Sequence, residues 1–308
     1  MAYTNQRTAY GNTLVELGKD NKRIVVLDAD LGGSTMGKLF EAAYPERHFE
    51  MGIAEANMTS VAAGLAQTGK IPFTNSFAVF ASGRAYDQIR QTIAIGKLNV
   101  KICGSSSGMS DFGDGATHQA VEDMAIMRAI PNMTVICPAD ANETVQAVKA
   151  MVDMEGPCYL RLNRNDYENV TPEDKPFVTG MPSVLKDGSD IVVFATGIMV
   201  GKALKAAEEL KDKVSVKVVN VSSIKPMNKE AVISLARGCR AVVTAEEHSI
   251  AGGLGSAISE VLCKECIPVE YVGVEDTFGG SGHSYEDVLE YYKLTKEHIK
   301  EAIEKMAV

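Results

Sequence analysis

EMGIAEANMTSVAAGLAQTGKIPFTNS, residues 50–76, sets one carboxylate, Glu55, in a small, apolar helical pattern and follows it with a strand-like run. The spacing predicts a helix over 54–69 and a buried strand over 72–76. The same succession recurs on either side. IVVLD (24–28), VKICG (100–104), TVICP (134–138) and CYLRL (158–162) read as buried strands. Between them lie the amphipathic stretches TAYGNTLVELGK, RAYDQIRQTIAIG, HQAVEDMAIMRAI and DANETVQAVKAMVD. The last opens with Asp140 three residues before Glu143, a capping-box spacing. Alternation of this kind specifies a parallel, doubly wound α/β sheet.

The alternation lapses in RNDYENVTPEDKPFVTGMPSVLKDG (164–188), which holds three prolines and mixed charge, and then resumes. DIVVFA (190–195), VSVKVVNV (214–221), RAVVTAE (240–246) and PVEYVGV (268–274) are the next strands, with helical patterns at 199–211, 228–236, 254–264 and 284–306. The expected organisation is a first domain over 1–165, a linker over 166–188 and a second doubly wound domain over 189–308. A length of 308 residues also predicts about two domains.

Composition narrows the function. The formal charge is −9 with both signs interspersed, so no basic stripe points to nucleic acid. No apolar run reaches the roughly 18 residues of a membrane span. The N-terminus lacks a signal-peptide core, and a cytoplasmic protein is expected. Cys103, Cys137, Cys158 and Cys239 sit in or beside strand-like runs and read as buried thiols. Cys263 and Cys266 form C-K-E-C without a second ligand pair, so no zinc or redox role is read there.

Residues 50–120 gather the chemistry. A buried carboxylate such as Glu55 costs several kcal/mol unless it is paired or protonated. TNSFAVFASGRAYDQ (74–88) places Phe77 and Phe80 three residues apart just after a strand. SSSGMSDFGDGATHQ (105–119) is a glycine- and serine-rich loop ending in Thr117-His118-Gln119.

RHFEMGIAEANMTSVAAGLAQTGKIPF, SFAVFASGRAYDQ, GDGATHQAVEDMAIMRAIPNMTVICPAD and GPCYLRLNR together resemble the pyrimidine-binding domain of transketolases and 1-deoxyxylulose-5-phosphate synthases. AEEHSIAGGLGSAISEVL and VEDTFGGSG resemble the C-terminal domain of the same enzymes. The resemblance implies the C-terminal subunit of a split transketolase. Such a subunit shares thiamine diphosphate with an N-terminal partner that carries the diphosphate site and its Mg²⁺. It implies an α2β2 heterotetramer acting on sugar phosphates, with a place in pentose phosphate metabolism.

The resemblance also assigns roles. Glu55 would share a proton with N1′ of the aminopyrimidine, an ionisation state that apolar surroundings favour. On this reading Glu55 faces a cofactor ring and not a salt bridge. Phe80 and Phe77 would stack on or wall the ring, with Ile53 beside them. His118 would bond a substrate oxygen and move protons. Asp114 would contact a substrate hydroxyl, while Arg164 and Ser34 would reach the sugar phosphate.

Gly113-Asp114-Gly115, with Asn142 downstream, spells the start of a diphosphate and magnesium motif. A polar loop precedes it instead of a strand, and Asn142 lies inside the capping box, so this chain is expected to hold no metal. Gly252-Gly253-Leu254-Gly255 could admit an anion at a helix start or close packing equally well. Two departures from the family stand out: Ser105-Ser106-Ser107 where a histidine is common, and Ala116 where a proline is common. Other readings are a deoxyxylulose-phosphate synthase-like chain, a 2-oxoacid dehydrogenase beta subunit, and a binding subunit that kept the fold without catalysis.

Overall fold

The computed structural model describes residues 4–307. The first sheet is built from β1 (Ile24–Asp28), β2 (His48–Glu50), β3 (Ile71–Phe77), β4 (Lys101–Ser105), β5 (Thr134–Ile136) and β6 (Cys158–Arg161), all parallel where they pair. The second holds β7 (Ser183–Lys186), β8 (Ile191–Ala195), β9 (Val216–Asn220), β11 (Ala241–Ser249) and β12 (Val269–Val274) in the order β12-β11-β8-β9-β7. Here β7 runs antiparallel to β9, so residues 183–186, within the stretch that breaks the alternation, close an edge of this sheet. β10 (Ser223–Lys225) follows β9 but crosses back and pairs antiparallel with β5, completing the seven-stranded order β10-β5-β6-β4-β3-β1-β2.

β1, β3, β4 and β6 are buried along their whole length, and their apolar residues are interrupted by buried polar ones such as Asp28, Asn75, Lys101 and Arg161. One apolar cluster runs from Val25, Leu27 and Ile102 of the first sheet to Val192, Phe194 and Val242 of the second, so the two sheets share a core. Polar groups knit the same boundary. Arg161 bonds both Asp123 oxygens at 2.9 and 3.1 Å and reaches the Glu247 carbonyl at 2.9 Å.

Several elements depart from the sequence patterns. The helix expected across 118–130 forms only over Asp123–Ala129, because Ala120 is held in a backbone ladder with Gly108. The pattern at 284–306 splits into Tyr285–Tyr291 and Lys296–Ala307 around Lys293, whose φ is 59°. The stretch after β3 is no plain α-helix. Phe80–Arg84 and Ile89–Ala94 are π-helical, flanking Tyr86–Gln88. Asp140 caps its helix as expected, accepting from the Glu143 N–H at 2.9 Å, while Glu143 reaches back to the Ala139 N–H at 2.7 Å.

The glycine run at 252–255 is explained by β11. Glu246 accepts from the N–H groups of Leu254 at 2.7 Å and Gly255 at 2.8 Å, so its own carboxylate occupies the start of the helix Leu254–Leu262. A Cβ on Gly253 would lie 2.0 Å from Glu246 Oε2. Burial raises the Glu246 carboxyl to about 7, against the pull of those two donors. A raised carboxyl contributes stability that is complete below about pH 4.5 and is lost as pH rises through about 7. Removing the titration with Glu246→Gln should therefore shift the stability gap on the order of 3 kcal/mol in the variant's favour from about pH 5 to about pH 8. Denaturant melts across that range check this, and a gap independent of pH refutes it.

Candidate active site

In the first sheet β1 lies between β2 and β3, so the crossovers that follow β1 and β3 leave in opposite directions, a topological switch point at which such sheets commonly bind ligands. Glu55, Phe77, Phe80 and His118 gather near it. Glu55 is the first residue of the helix Glu55–Gln67, which follows β2. Phe77 ends β3, and Phe80 begins the first π turn. The two rings stack with centroids 6.2 Å apart and planes 17° from parallel. His118 meets both edge-on, at 6.1 Å from Phe77 and 5.3 Å from Phe80. Its Nδ1 lies 2.9 Å from the Thr117 hydroxyl.

Glu55 is 1% exposed, as the sequence predicts, but the expectation that it avoids a salt bridge is corrected. Nη1 of Arg84 donates to both Glu55 oxygens at 3.0 Å. The same guanidinium lies over the Phe80 ring, 4.7 Å from its centroid. The π turn brings Arg84 back over Phe80, four residues earlier, and toward a carboxylate 29 residues away. Nothing in the local sequence pattern signals that pairing.

A second arginine lies at the other end of the phenylalanine pair. Arg164 sits 5.9 Å from the Phe77 centroid and pairs with Asp111 at 2.5 Å. Arg7, on the helix Gln6–Asp20, donates to the Ser34 carbonyl at 2.8 Å and the Arg164 carbonyl at 2.9 Å. It thereby draws Ser34 and Arg164 together. Burial and the neighbouring Arg164 charge lower the Arg7 pKa against the pull of Asp166 and Asp111. Ser105, in register with Phe77, and Ser106 carry buried hydroxyls with no hydrogen-bond partner in the structure. Ile53 is 74% exposed beside Glu55. Asp114 is also exposed and heads the 3-10 turn Gly115–Thr117 without capping it. Arg7, Arg84 and Asp111 are the residues that sequence reasoning missed.

The loop that carries His118 is held by the second domain. Gln119 Nε2 donates to the carbonyls of Asp111 at 3.2 Å and Gly280 at 3.0 Å. The Gly282 N–H donates to the Phe112 carbonyl at 2.8 Å, and the Met109 N–H to Glu247 at 2.8 Å. Gly115 (φ 72°) packs so closely that a Cβ would lie 2.4 Å from the Ser281 hydroxyl.

A flat, donor-bearing cation already lies on Phe80 and bonds to Glu55, so this pair fits a flat heteroaromatic ring with donors on its edge. Among the described residues no group of three or more His, Cys, Asp or Glu side chains could hold a metal ion. No described helix is long and apolar enough to cross a membrane.

Residues 3–169 match the family described as transketolase, pyrimidine binding domain, and residues 180–299 match transketolase, C-terminal domain. The chain is 45% identical over 308 residues to a transketolase C-terminal section of Methanocaldococcus jannaschii, covering 98% of this chain and 96% of that one. It is 44% identical to a 6-deoxy-6-sulfo-D-fructose transketolase subunit of a Clostridium species, covering 96% and 92% of the two chains. A solved structure of a split-gene transketolase, an inactive beta4 tetramer, superposes with a TM-score of 0.89 at 47% identity and covers 99% of both chains. With both domains matched and near-full-length relatives that are C-terminal sections or subunits, the chain belongs to the transketolase family, in its split, C-terminal form.

Proposed function

We propose that this chain is the pyrimidine-binding half of a two-subunit transketolase that moves a two-carbon ketol unit between ketose and aldose substrates with anionic tails. The carrying observation is the convergence of a 1%-exposed Glu55, the Phe77–Phe80 stack and the edge-on His118 in one crevice. Thiamine diphosphate, when bound, supplies the nucleophilic carbon and the electron sink of the reaction. Its Mg²⁺ and diphosphate would be held by an N-terminal partner.

This chain's residues do the rest. Glu55 holds or releases a proton at the ring seat, where exclusion of water strengthens its hydrogen bond. Phe80, backed by Phe77, provides the flat wall, and the exposed Ile53 flanks the acid. His118 presents Nε2 to a substrate oxygen, and the second domain fixes the loop that carries it. Asp114, on the same loop, is free to meet a substrate hydroxyl. Arg164, positioned with Ser34 by Arg7, takes the anionic end of the sugar. A guanidinium fork suits phosphate and sulfonate alike, and one relative is named for a sulfo sugar. Product analysis with a phosphate-tailed and a sulfonate-tailed ketose donor distinguishes them.

Two experiments test the reading. The isolated chain, supplied with thiamine diphosphate, Mg²⁺ and sugar phosphates, should show no turnover, and the chain mixed with its partner should. Turnover by the isolated chain refutes the split. In the active complex Glu55→Gln should lower kcat by roughly 100-fold or more, the scale of a positioned proton-transfer group. Unchanged rates would instead favour a binding subunit. Arg164→Met should raise KM for the anionic substrate by about tenfold or more with a smaller effect on kcat, because it removes a charge-assisted contact made before and during reaction. An unchanged KM places the anion elsewhere.

A further inference from the structure

Arg84 touches the two groups that the proposed function reserves for the aminopyrimidine. Its Nη1 stands 3.0 Å from each oxygen of Glu55, and its guanidinium carbon stands 4.7 Å above the Phe80 centroid. A guanidinium is flat, stacks on aromatic faces and carries N–H donors around its rim. An aminopyrimidine needs the same two partners for the same reasons: a face to lie on and an acid at its edge. Glu55 can accept from more than one donor, but a ring lying on the face of Phe80 that Arg84 covers must displace the guanidinium. We propose that Arg84 is a resident placeholder for the cofactor ring: it closes the seat while the ring is absent and swings out when the ring enters. This rests on the thiamine reading of the site and extends it to a residue with no assigned role.

The burial pattern shows which partner can move. The Glu55 side chain is 2% exposed and that of Arg84 is 50% exposed. The acid is fixed at the base of the seat, and the arginine reaches it from the solvent side. A buried carboxylate without a partner is strongly destabilising, so the ring-free chain needs a counter-charge at this position. A half-exposed arginine supplies one at modest strength, and so can be displaced. Half of the Arg84 side chain is open to solvent within this chain, which leaves it room to turn outward.

The π-helical turn Phe80–Arg84 adds to the argument. Its wider winding carries the two residues that define the seat, Phe80 at its start and Arg84 at its end. Such turns are frequent at functional sites. The Ala85 N–H bonds to the Gly83 carbonyl, so Arg84 stands at a break in the helical ladder and not within a regular one. A change in the Arg84 rotamer therefore need not disturb a regular helix.

The placeholder also has a thermodynamic consequence. Any ligand whose competent state is only partly populated binds more weakly by that fraction. The ring must first break the Arg84 contacts, so the isolated chain should bind it less tightly than a chain lacking them. A partner subunit that grips the diphosphate would supply the difference.

Thiamine itself is the suitable probe, because it carries the ring without the diphosphate and so isolates the seat. Titration calorimetry would compare the full-length wild type with Arg84→Met and Arg84→Lys. Arg84→Met should bind thiamine roughly tenfold more tightly, with Arg84→Lys between the two, since one ion pair with a half-exposed arginine and one cation–π contact are removed. In ¹⁵N-arginine-labelled wild type, the Arg84 Nε–H resonance, assigned by its loss in Arg84→Met, should move toward that of free arginine as thiamine saturates. Unfolding midpoints should confirm that each variant is folded. Equal or weaker binding by Arg84→Met, or an Arg84 resonance unmoved by bound thiamine, overturns the proposal and makes Arg84 a permanent clamp on Glu55. Absence of binding to every variant overturns it as well. The cofactor reading is then judged separately, by thiamine diphosphate binding to the assembled complex.

Discussion

The structure depends on one buried ion pair, Arg161 with Asp123, at the seam of the two domains. Their side chains are 3% and 0% exposed. Burial alone would pull the Arg161 guanidinium down, but the carboxylate at 2.9 Å more than offsets this and holds it charged. A buried charge is tolerable only when its remaining donors and acceptors are also met. Here they are. Tyr159 donates to Asp123 at 2.8 Å, and Arg161 reaches the carbonyls of Ala120 and Glu247 at 3.2 and 2.9 Å. Those bonds join β6 and the helix Asp123–Ala129 of the first domain to β11 of the second. The second domain is thereby fixed at the distance its loops need to reach the crevice.

That placement explains why a domain without proposed catalytic groups belongs to the site. The loop bearing His118 has little regular structure of its own. It is positioned by Glu247 from β11 and by the carbonyl and amide groups of Gly280 and Gly282. Gly279 and Gly115 permit the approach, since a Cβ at either would collide with a side chain of the facing loop. Gly279 of DTFGGSG is thus demanded by packing against the His118 loop. The motif that marks the second domain is a docking surface for the first.

What the sequence makes legible follows from how local each signal is. IVVLD and DIVVFA announce themselves because strands buried on both faces are predominantly apolar. β2 and β10 are three residues long, and β10 finds its partner in another domain's sheet, so no local pattern marks them. The same distinction divides the site. Glu55, Phe77, Phe80 and His118 stand in the motifs that carry the family resemblance, and it is the resemblance, not the local pattern alone, that singles them out. Arg84, Arg7 and Asp111 gain their meaning only from contacts 29, 157 and 53 residues away: Arg84 with Glu55, Arg7 with the Arg164 carbonyl, and Asp111 with Arg164. The π turns are a further case, because RAYDQIRQTIAIG satisfies a helical period whether its hydrogen bonds span four residues or five.

The charges at the crevice follow one plan at both ends. Arg84 with Glu55 and Arg164 with Asp111 each join a carboxylate exposed by 3% or less to an arginine exposed by 30% or more. The two arginines lie over Phe80 and Phe77 respectively, so the pairs bracket the aromatic stack. Pairing lets the acids be buried before any ligand arrives, and it puts the movable partner on the solvent side. On the proposed reading the two ends then exchange partners in opposite senses. At the ring end the ligand takes the acid and the arginine leaves. At the sugar end the ligand takes the arginine and competes with the acid. An anion drawn to Arg164 meets the repulsion of Asp111, which favours a tail with oxygens enough to satisfy the guanidinium without displacing it. A flat donor entering at Glu55 meets no such residual charge once Arg84 has moved. On that reading the site selects its two ligands by different physics: the ring by shape and hydrogen-bond complementarity, the sugar by charge.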